Sequence, residues 1–249
     1  MKDFLKVIGV IPARLCSKRL PFKLLKLLLG KPLLQWTWEN AKKSHLLDRL
    51  IVACDDYKIE EVAKKFGAEV VLTSTQHFSG TDRIAEAVRD IEVDIVINIQ
   101  ADEPLIHPSV IDSLAAEMLN NSNLVMTTVR KKIEDEEEIN DPNIVKVICD
   151  KDGFAIYFSR SPLPYFREKN KIKIYYKHLG IYAYTKDFLY TFKNLPFSYL
   201  EEAEKLEQLR AIESGFKIKV IETQFDCYGV DTEEDFQKIE KILSEKGYA

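Results

Sequence analysis

The chain has 249 residues, and 36 lysines and arginines against 40 aspartates and glutamates give it a formal net charge of −4. This length can bury a sizeable core, and a hydrophobic share of 46% excludes a disordered protein. The charge excludes a general affinity for nucleic acid, and no apolar run approaches the roughly 20 residues that span a bilayer.

The first half of the chain alternates segments with strand-like and helix-like patterns. Strands are predicted at residues 6–11, 49–54, 69–72 and 94–99, and helices at 33–43, 57–66, 81–91 and 108–119. Strict alternation of this kind is typical of an α/β fold with a mostly parallel sheet and helices on both faces.

The second half has a different pattern, with strands that are not separated by long helices. Strands are predicted at 124–130, 144–149, 154–158 and 176–184, and helices at 200–214 and 232–244. Each of these helices opens with a capping box, formed by Ser198 with Glu201 and by Thr232 with Asp235. We therefore predict one domain over residues 1–249, with an α/β half (1–120) and a mixed half (121–249).

The four cysteines are widely scattered and do not have the spacing of a metal site. They predict reduced, mostly buried thiols in a cytoplasmic protein. The apolar stretch at residues 7–11 is too short for the core of a signal peptide, which agrees with that location.

An acidic segment follows the predicted strand at residues 94–99. Four of these six residues are isoleucine or valine, and Asp102 and Glu103 follow after Gln100 and Ala101. A buried strand that ends in carboxylates places negative charge at the edge of the sheet where α/β proteins bind ligands. Mg²⁺ commonly compensates such charge when the ligand is a polyphosphate.

Asp231 is a second candidate carboxylate, just before the last predicted helix. An exposed acidic residue beside a helix cap is its ordinary interpretation. If Asp231 meets Asp102 in space, the two form a hard oxygen site for Mg²⁺. The sequence alone leaves this convergence open.

The loop after the first strand, residues 11–23, contains four positively charged residues. It is either a basic surface loop or a cradle for an anion, in which Arg14 and Lys23 add full charges to backbone N–H donors. It is not a Walker loop, since no Gly-Lys-Ser/Thr sequence is present.

A further loop enters a predicted helix at residues 76–83. Here Thr81 is predicted to cap the helix and Gly80 to permit the turn, an arrangement that is compatible with ligand binding. His77 is predicted to be a loop or core histidine rather than a metal ligand, because a lone histidine rarely makes a metal site.

Three segments of the second half contain candidate ligand-binding positions. Gly180, inside a predicted strand, indicates a close backbone approach. Glu207 and Gln208 lie in a predicted helix whose ordinary interpretation is amphipathic. Arg160 and Arg167 are plausible clamps for a carboxylate.

Seven strings, taken together, carry a family resemblance. They are IPARLCSKRLPFK, TSTQHFSGTDR, NIQADEP, YFSRSPLP, KHLGIYAY, LEQLR and GVDTEED, in order from the first strand to the last helix. In these strings the chain resembles the 3-deoxy-D-manno-octulosonate (Kdo) cytidylyltransferases, or CMP-Kdo synthetases. The resemblance implies a nucleotidyltransferase fold similar to the A-type glycosyltransferases (GT-A-like) with a smaller dimerisation portion. It also implies a cytoplasmic homodimer that transfers a cytidylyl group from CTP to Kdo for lipopolysaccharide biosynthesis, with Mg²⁺ as cofactor.

The resemblance also implies roles for individual residues. The nucleotide contacts are Arg14, Ser17, Lys23, Ser79, Gly80, Arg83, Gln100, Ala101 and Asp102. The contacts to the sugar acid are Arg160, Arg167, His178, Tyr182, Glu207 and Gln208. Asp102 and Asp231 match the magnesium ligands, and with Arg14 and Lys23 they form the implied catalytic set.

Two positions depart from the family pattern, and the acceptor stays open. Phe22 and Ala101 each stand where the family has glycine, so we expect Phe22 to restrict the phosphate loop and Ala101 to crowd the nucleotide. The alternatives are a cytidylyltransferase for another sugar acid, such as 8-amino-Kdo or a sialic acid, and a non-catalytic nucleotide-sensing module.

Overall fold

The computed structural model describes residues 5–17, 19–168 and 173–245. The strands are β1 (Val7–Ala13), β2 (Leu27–Leu28), β3 (Lys31–Pro32), β4 (Arg49–Cys54), β5 (Glu69–Leu72), β6 (Ile95–Asn98), β7 (Met126–Lys132), β8 (Lys146–Cys149), β9 (Ala155–Ser159), β10 (Tyr176–Thr185) and β11 (Lys219–Glu222). The helices are α1 (Leu33–Ala41), α2 (Tyr57–Lys65), α3 (Gly80–Ala87), α4 (Pro108–Asn120), α5 (Glu136–Asn140), α6 (Lys186–Asn194), α7 (Tyr199–Glu204), α8 (Leu209–Glu213) and α9 (Glu233–Glu245).

Nine of these strands form one mixed sheet with the order β11-β7-β10-β6-β1-β4-β5. The strands of the first half pair in parallel, β6 with β1, β1 with β4, and β4 with β5. The long strand β10 is antiparallel to β6 and β7, and β8 and β9 branch from it. The carboxyl ends of β1, β4 and β6 therefore meet at one edge of the sheet, beside β10.

The core lies on both faces of the sheet. Along β1, Val7 and Ile11 face one buried cluster, and Ile8 and Val10 face the other. Helices α1, α2, α4 and α9 cover the first cluster, whereas α3, α6 and α8 cover the second. A strand covered on both sides has no polar face, which is why β1 contains no polar side chain and β6 is apolar up to Asn98.

The helix predicted at residues 200–214 differs from expectation, whereas the one predicted at 232–244 is observed as α9. Residues 200–214 do not form one helix, because Lys205 adopts a left-handed φ of 54° and ends α7. A second short helix, α8, begins at Leu209. The break places Glu207 and Gln208 in the connection between two helices, where their side chains are not confined to one helical face.

The helix caps agree with the sequence at one site and differ at two. Thr232 and Asp235 bond each other's backbone N–H groups, as the capping box requires. Ser198 accepts from the Glu201 N–H, but the Glu201 carboxylate turns to Arg210 instead. The prediction that Thr81 caps its helix is wrong, since Ser79 is the N-cap of α3 in a capping box with Asp82.

Gly180 occupies a strand irregularity and not a close contact. The pairing of β10 with β7 shifts register between Leu179 and Tyr182. A Cβ placed on Gly180 would meet no atom within 4 Å, so the expected close backbone approach is wrong for atoms of this chain. The bulge instead gives His178 and Tyr182 different pairing registers against β7.

Two expectations concern the chain as a whole. In the part of the chain that the structure describes, every helix is too short or too polar to span a bilayer. The four cysteines are free thiols, but only Cys54 is fully buried and Cys16 is exposed. The expectation of mostly buried cysteines was therefore wrong.

Candidate active site

A cleft of about 270 Å³ opens at the edge of the sheet where β1 and β6 end. Every residue predicted to contact the nucleotide lines it, and so does Asp231. Its lining residues are Pro12, Arg14, Ser17, Lys23, Leu24, His77, Phe78, Ser79, Gly80, Arg83, Gln100, Ala101, Asp102 and Asp231. Segments that are far apart in the chain, including the basic loop and the entry to α3, therefore share one concave surface.

Asp102 and Asp231 converge on one point of this cleft. The Lys23 ammonium lies 2.5 Å from Asp102 Oδ2 and 2.9 Å from Asp231 Oδ1. It also donates to the Val230 carbonyl at 2.8 Å, and the Val230 N–H donates to the Asp102 carbonyl at 2.9 Å. Both carboxylates thus reach the same cation, which is the convergence that the sequence left open.

The charge of Lys23 is fixed by this environment. Burial opposes the ammonium, but the attraction of Asp102 and then of Asp231 outweighs it and holds the pKa of Lys23 above its usual value. Lys23 is therefore fully protonated near pH 7. Arg19 adds a second, more exposed cation at 2.6 Å from Asp231 Oδ2.

The two carboxylates fit a magnesium ion in the chemistry of their donor atoms. Mg²⁺ prefers oxygen ligands and is commonly held by one or two carboxylates, with substrate phosphates and water completing its shell. The described residues contain no group of three or more His, Cys, Asp or Glu side chains that could hold a metal. A metal here would depend on the substrate for its remaining ligands.

Arg83 lies in the wall of the cleft with its guanidinium engaged by the protein. It is buried, and it donates to Thr73 Oγ1 at 2.6 Å and to Asp55 Oδ2 at 3.0 Å. The other oxygen of Asp55 accepts the Leu15 N–H at 2.9 Å. Arg83 therefore connects α3 to the basic loop through Asp55. Arg14 is exposed at the cleft, and Lys18 of the same loop lies outside the described residues.

Two of the predicted sugar-acid residues lie side by side on β10. Tyr182 is paired with Asn98 of β6, and its ring centroid is 5.4 Å from that of His178. Desolvation among protein atoms lowers the pKa of His178 to about 3, so its ring is neutral. Its Nε2 lies 2.9 Å from Thr128 Oγ1, and Oγ1 lies 2.8 Å from the Ile181 carbonyl, which only a hydroxyl hydrogen can bond. With the Thr128 hydroxyl donating to that carbonyl, we assign the imidazole proton to Nε2, which leaves Nδ1 as an acceptor.

Glu207 and Gln208 approach the cleft from the α7–α8 connection. The Thr81 hydroxyl donates to Glu207 Oε2 at 2.9 Å, beside the Ser79 and Gly80 of the cleft. Burial raises the pKa of Glu207. Gln208 is buried, and its Nε2 has no hydrogen-bond partner in the structure. A buried donor without a partner is costly unless a ligand completes it.

The two predicted arginine clamps are placed differently from the other four residues. Arg160 donates from Nε to the Glu204 carbonyl at 2.7 Å and from Nη1 to the Pro142 carbonyl at 2.8 Å. Its guanidinium thus holds α7 to a neighbouring loop. Arg167 is exposed. None of the six predicted sugar-acid residues lines the nucleotide cleft. The contact of all six with a sugar acid stays a prediction.

Comparison with known proteins gives the family. A family model described as Cytidylyltransferase matches residues 8–220. The 3-deoxy-manno-octulosonate cytidylyltransferases of Thermodesulfovibrio yellowstonii and Solibacter usitatus are 48% and 45% identical to the chain. The alignments cover 95% and 96% of this chain and 98% and 94% of those proteins. The chain belongs to the 3-deoxy-manno-octulosonate cytidylyltransferase family.

Solved structures agree with this family. One described as CMP:2-keto-3-deoxy-manno-octonic acid synthetase complexed with CTP is 39% identical, with a TM-score of 0.92 over 97% of this chain and 99% of the other. A cytidylyltransferase from Leptospira borgpetersenii, at 20% identity and a TM-score of 0.67 over 97% and 87% of the two chains, shares the fold. The predicted family, α/β fold and class of enzyme are confirmed.

The departures from the family's glycines have different structural consequences. Phe22 adopts φ 56° and ψ 24°, a left-handed conformation that glycine adopts without strain. Ala101 is not among the residues with positive φ, and its carbonyl accepts the Thr37 hydroxyl at 3.0 Å. The backbone at Ala101 therefore does not require glycine, whereas at Phe22 it favours one.

Four residues that line the cleft were not predicted to contact a ligand, namely Pro12, Leu24, His77 and Phe78. His77 pairs with the Glu86 carboxylate, and the Phe78 ring is exposed. Arg19 was also not predicted, although it pairs with Asp231. The positive charge of the basic loop was a signal for Arg19. An exposed phenylalanine and a loop histidine have no sequence pattern that separates ligand contacts from ordinary surface residues.

Proposed function

We propose that this protein transfers the cytidylyl group of CTP to Kdo and releases pyrophosphate. The observation that carries the proposal is the meeting of Asp102 and Asp231 at Lys23, inside a cleft lined by every predicted nucleotide contact. Two relatives at 48% and 45% identity bear the name of this activity, and the structure at 39% identity is described as a complex with CTP.

The reaction needs no nucleophile from the protein. The anomeric hydroxyl of Kdo attacks the α-phosphorus of CTP and releases its proton to solvent water, the bond from that phosphorus to the bridging oxygen breaks, and pyrophosphate leaves with the electron pair. The chain contributes positioning and neutralisation of charge. Lys23 and Arg14 lie in the cleft as cations that bind the triphosphate and stabilise the negative charge on the departing pyrophosphate.

Asp102 and Asp231 are the residues that would hold Mg²⁺. When bound, the ion withdraws charge from the phosphate oxygens and helps to orient the reacting groups. The Lys23 ammonium occupies the point that both carboxylates reach, so it must leave at least one of them when it turns to the triphosphate. Lys23 thereby keeps the two carboxylates close together before the substrate arrives.

The acceptor binds beside the cleft, next to β10 and the α7–α8 connection. His178 offers an acceptor at Nδ1, Gln208 offers an unpaired Nε2 donor, and Glu207 accepts hydrogen bonds. Such groups suit the hydroxyls and the carboxylate of a sugar acid. A site of this kind discriminates strongly, because a wrong sugar leaves buried polar groups unpaired.

We also propose that the enzyme acts as a cytoplasmic homodimer in lipopolysaccharide biosynthesis with Mg²⁺ as its cofactor. The family resemblance and the identity of the acceptor support the pathway. Several large apolar side chains are exposed in the second half, among them Tyr165, Phe197 and Tyr199, and they offer area for a contact between copies. The molar mass in solution, measured by light scattering, tests the dimer.

A pyrophosphate-release assay with CTP, Mg²⁺ and a panel of sugar acids tests the proposed reaction. Release with Kdo, and much slower release with 8-amino-Kdo and a sialic acid, is the expected result. Release only with another acid would show that this acid, and not Kdo, is the acceptor. Retained CTP binding without release from any acid would indicate a nucleotide-sensing module and would contradict the proposal.

A further inference from the structure

Phe78 is an exposed aromatic residue at the rim of the nucleotide cleft. Its side chain is 95% exposed, although burial of a phenylalanine is normally favourable. It lines both the nucleotide cleft and a neighbouring groove of about 800 Å³ that runs along α7. The ring therefore stands between two cavities with its surface available to a ligand.

The backbone that carries this ring is held on both sides. Preceding Phe78, His77 is bonded to the carboxylate of Glu86, which also accepts the Ser74 N–H at 3.0 Å. Following it, Ser79 is fixed by its capping box at the start of α3. Phe78 is consequently presented at a defined place, and ordering its ring against a ligand requires no rearrangement of the loop.

The chemistry of the cleft decides which part of the nucleotide the ring can contact. Lys23, Asp102 and Asp231 form the charged cluster, which suits phosphate and metal. An aromatic ring offers neither charge nor a hydrogen bond to a triphosphate. Of the three parts of CTP, only the base has an apolar, planar face that an aromatic side chain can cover.

Besides Phe78, the cleft wall contains the Pro12 ring and the Cβ-free surface of Gly80. These two residues are close together, since a Cβ on Gly80 would be 3.3 Å from Pro12 Cγ. Gln100, with its side-chain amide, lines the same cleft. The cleft thus combines the Phe78 and Pro12 rings with an amide that can bond the edge of a base.

We propose that the Phe78 ring stacks on the cytosine base of CTP and covers it at the mouth of the cleft. The inference rests on the proposed function and adds the base-binding residue to it. Stacking supplies affinity but little choice of base, because every base has a π-face. Selection of cytosine is left to hydrogen bonds such as those of Gln100.

Binding measurements with and without the base test this role. For Phe78→Ala we expect the dissociation constant of CTP to rise on the order of 10-fold, as for loss of a base–aromatic stack. Binding of inorganic tripolyphosphate, which has no base, should be unchanged. Phe78→Trp should retain CTP binding, and its fluorescence should be quenched by CTP and not by tripolyphosphate.

Phe197→Ala is the matched control, because Phe197 is 81% exposed and lines only the neighbouring groove. It should bind CTP as the wild type does. Wild-type CTP affinity in Phe78→Ala, or an equal loss of CTP and tripolyphosphate, would overturn the inference and leave the proposed function standing. Failure of the wild-type protein itself to bind CTP would overturn both.

Discussion

Lys23 is the residue that allows two carboxylates to share one corner of the cleft. Its ammonium is mostly covered, and Asp102 and Asp231 are its acidic partners. If no cation lay between them, these two carboxylates would repel each other, and neither negative charge would be compensated. The same geometry that suits a divalent ion is therefore held together by a lysine while no substrate is bound.

Replacement of this lysine should expose the requirement for a cation. In the absence of Mg²⁺, Lys23→Met is expected to lower the free energy of unfolding by on the order of 1 kcal/mol, a modest loss because Asp231 is partly exposed. Added Mg²⁺ should raise the melting temperature of the variant more than that of the wild type. Equal Mg²⁺-induced shifts in the two proteins would show that the carboxylates do not share an ion.

Phe22 stores backbone strain in the phosphate loop. A φ of 56° costs a phenylalanine on the order of 1–3 kcal/mol of conformational strain. Glycine adopts this φ without strain, but its greater backbone freedom in the unfolded chain cancels part of the gain. We expect Phe22→Gly to raise the free energy of unfolding by about 0.5–1 kcal/mol in chemical denaturation. Phe197→Gly, at an exposed position without positive φ, should lower it. Destabilisation of both variants alike would refute strain at Phe22.

His178 should make the fold sensitive to acid. Burial lowers its pKa to about 3, whereas a histidine in the unfolded chain titrates near 6.5. Between these values only the unfolded state binds the proton, so stability present above pH 6.5 is lost as the pH falls, by roughly 1.4 kcal/mol per pH unit. His178→Gln should flatten the slope of unfolding free energy against pH, and the exposed His45→Gln should not. An unchanged slope in His178→Gln would contradict the buried neutral ring.

At the scale of elements, the break between α7 and α8 places Glu207, a proposed acceptor residue, against Thr81 at the start of α3. Residues 200–214 have an amphipathic pattern and predict one helix, but the left-handed turn at Lys205 interrupts it. Such a turn is typical of glycine, so a lysine gave no sign of it. Helix α6 and strand β11 were also missed, and the four residues of β11 offer little periodicity to detect.

Thr81 joins this connection to α3 and should affect the acceptor more than the nucleotide. Thr81→Val keeps the shape of the side chain but removes the donor to Glu207 Oε2. We expect the KM for Kdo to rise several-fold with a smaller change for CTP, and stability to fall by about 1 kcal/mol. Thr81→Ser, which keeps the hydroxyl, is the control and should behave as the wild type. An equal rise in both KM values would argue against this positioning.

At the scale of the whole molecule, the sheet order decides which residues meet. The alternation of the first half predicts the parallel strands, and the carboxylates after β6 predict the edge that binds the ligand. The position of Asp231 beside Asp102 could not be predicted, because it depends on how the segment after β11 returns across the sheet. The resemblance of the seven strings to the family implied that Asp102 and Asp231 act together, and in the structure both carboxylates contact Lys23.

The central claim is that Asp102 and Asp231 together hold the ion that the cytidylyl transfer needs. Pyrophosphate release with CTP, Kdo and saturating Mg²⁺ tests it most directly in Asp102→Asn and Asp231→Asn, with Asp152→Asn on the exposed β8–β9 turn as control. We predict that the first two lose turnover by at least about 10²-fold while remaining folded with a cooperative unfolding transition, and that the control keeps its turnover. Near-native turnover of Asp102→Asn or Asp231→Asn would contradict the account.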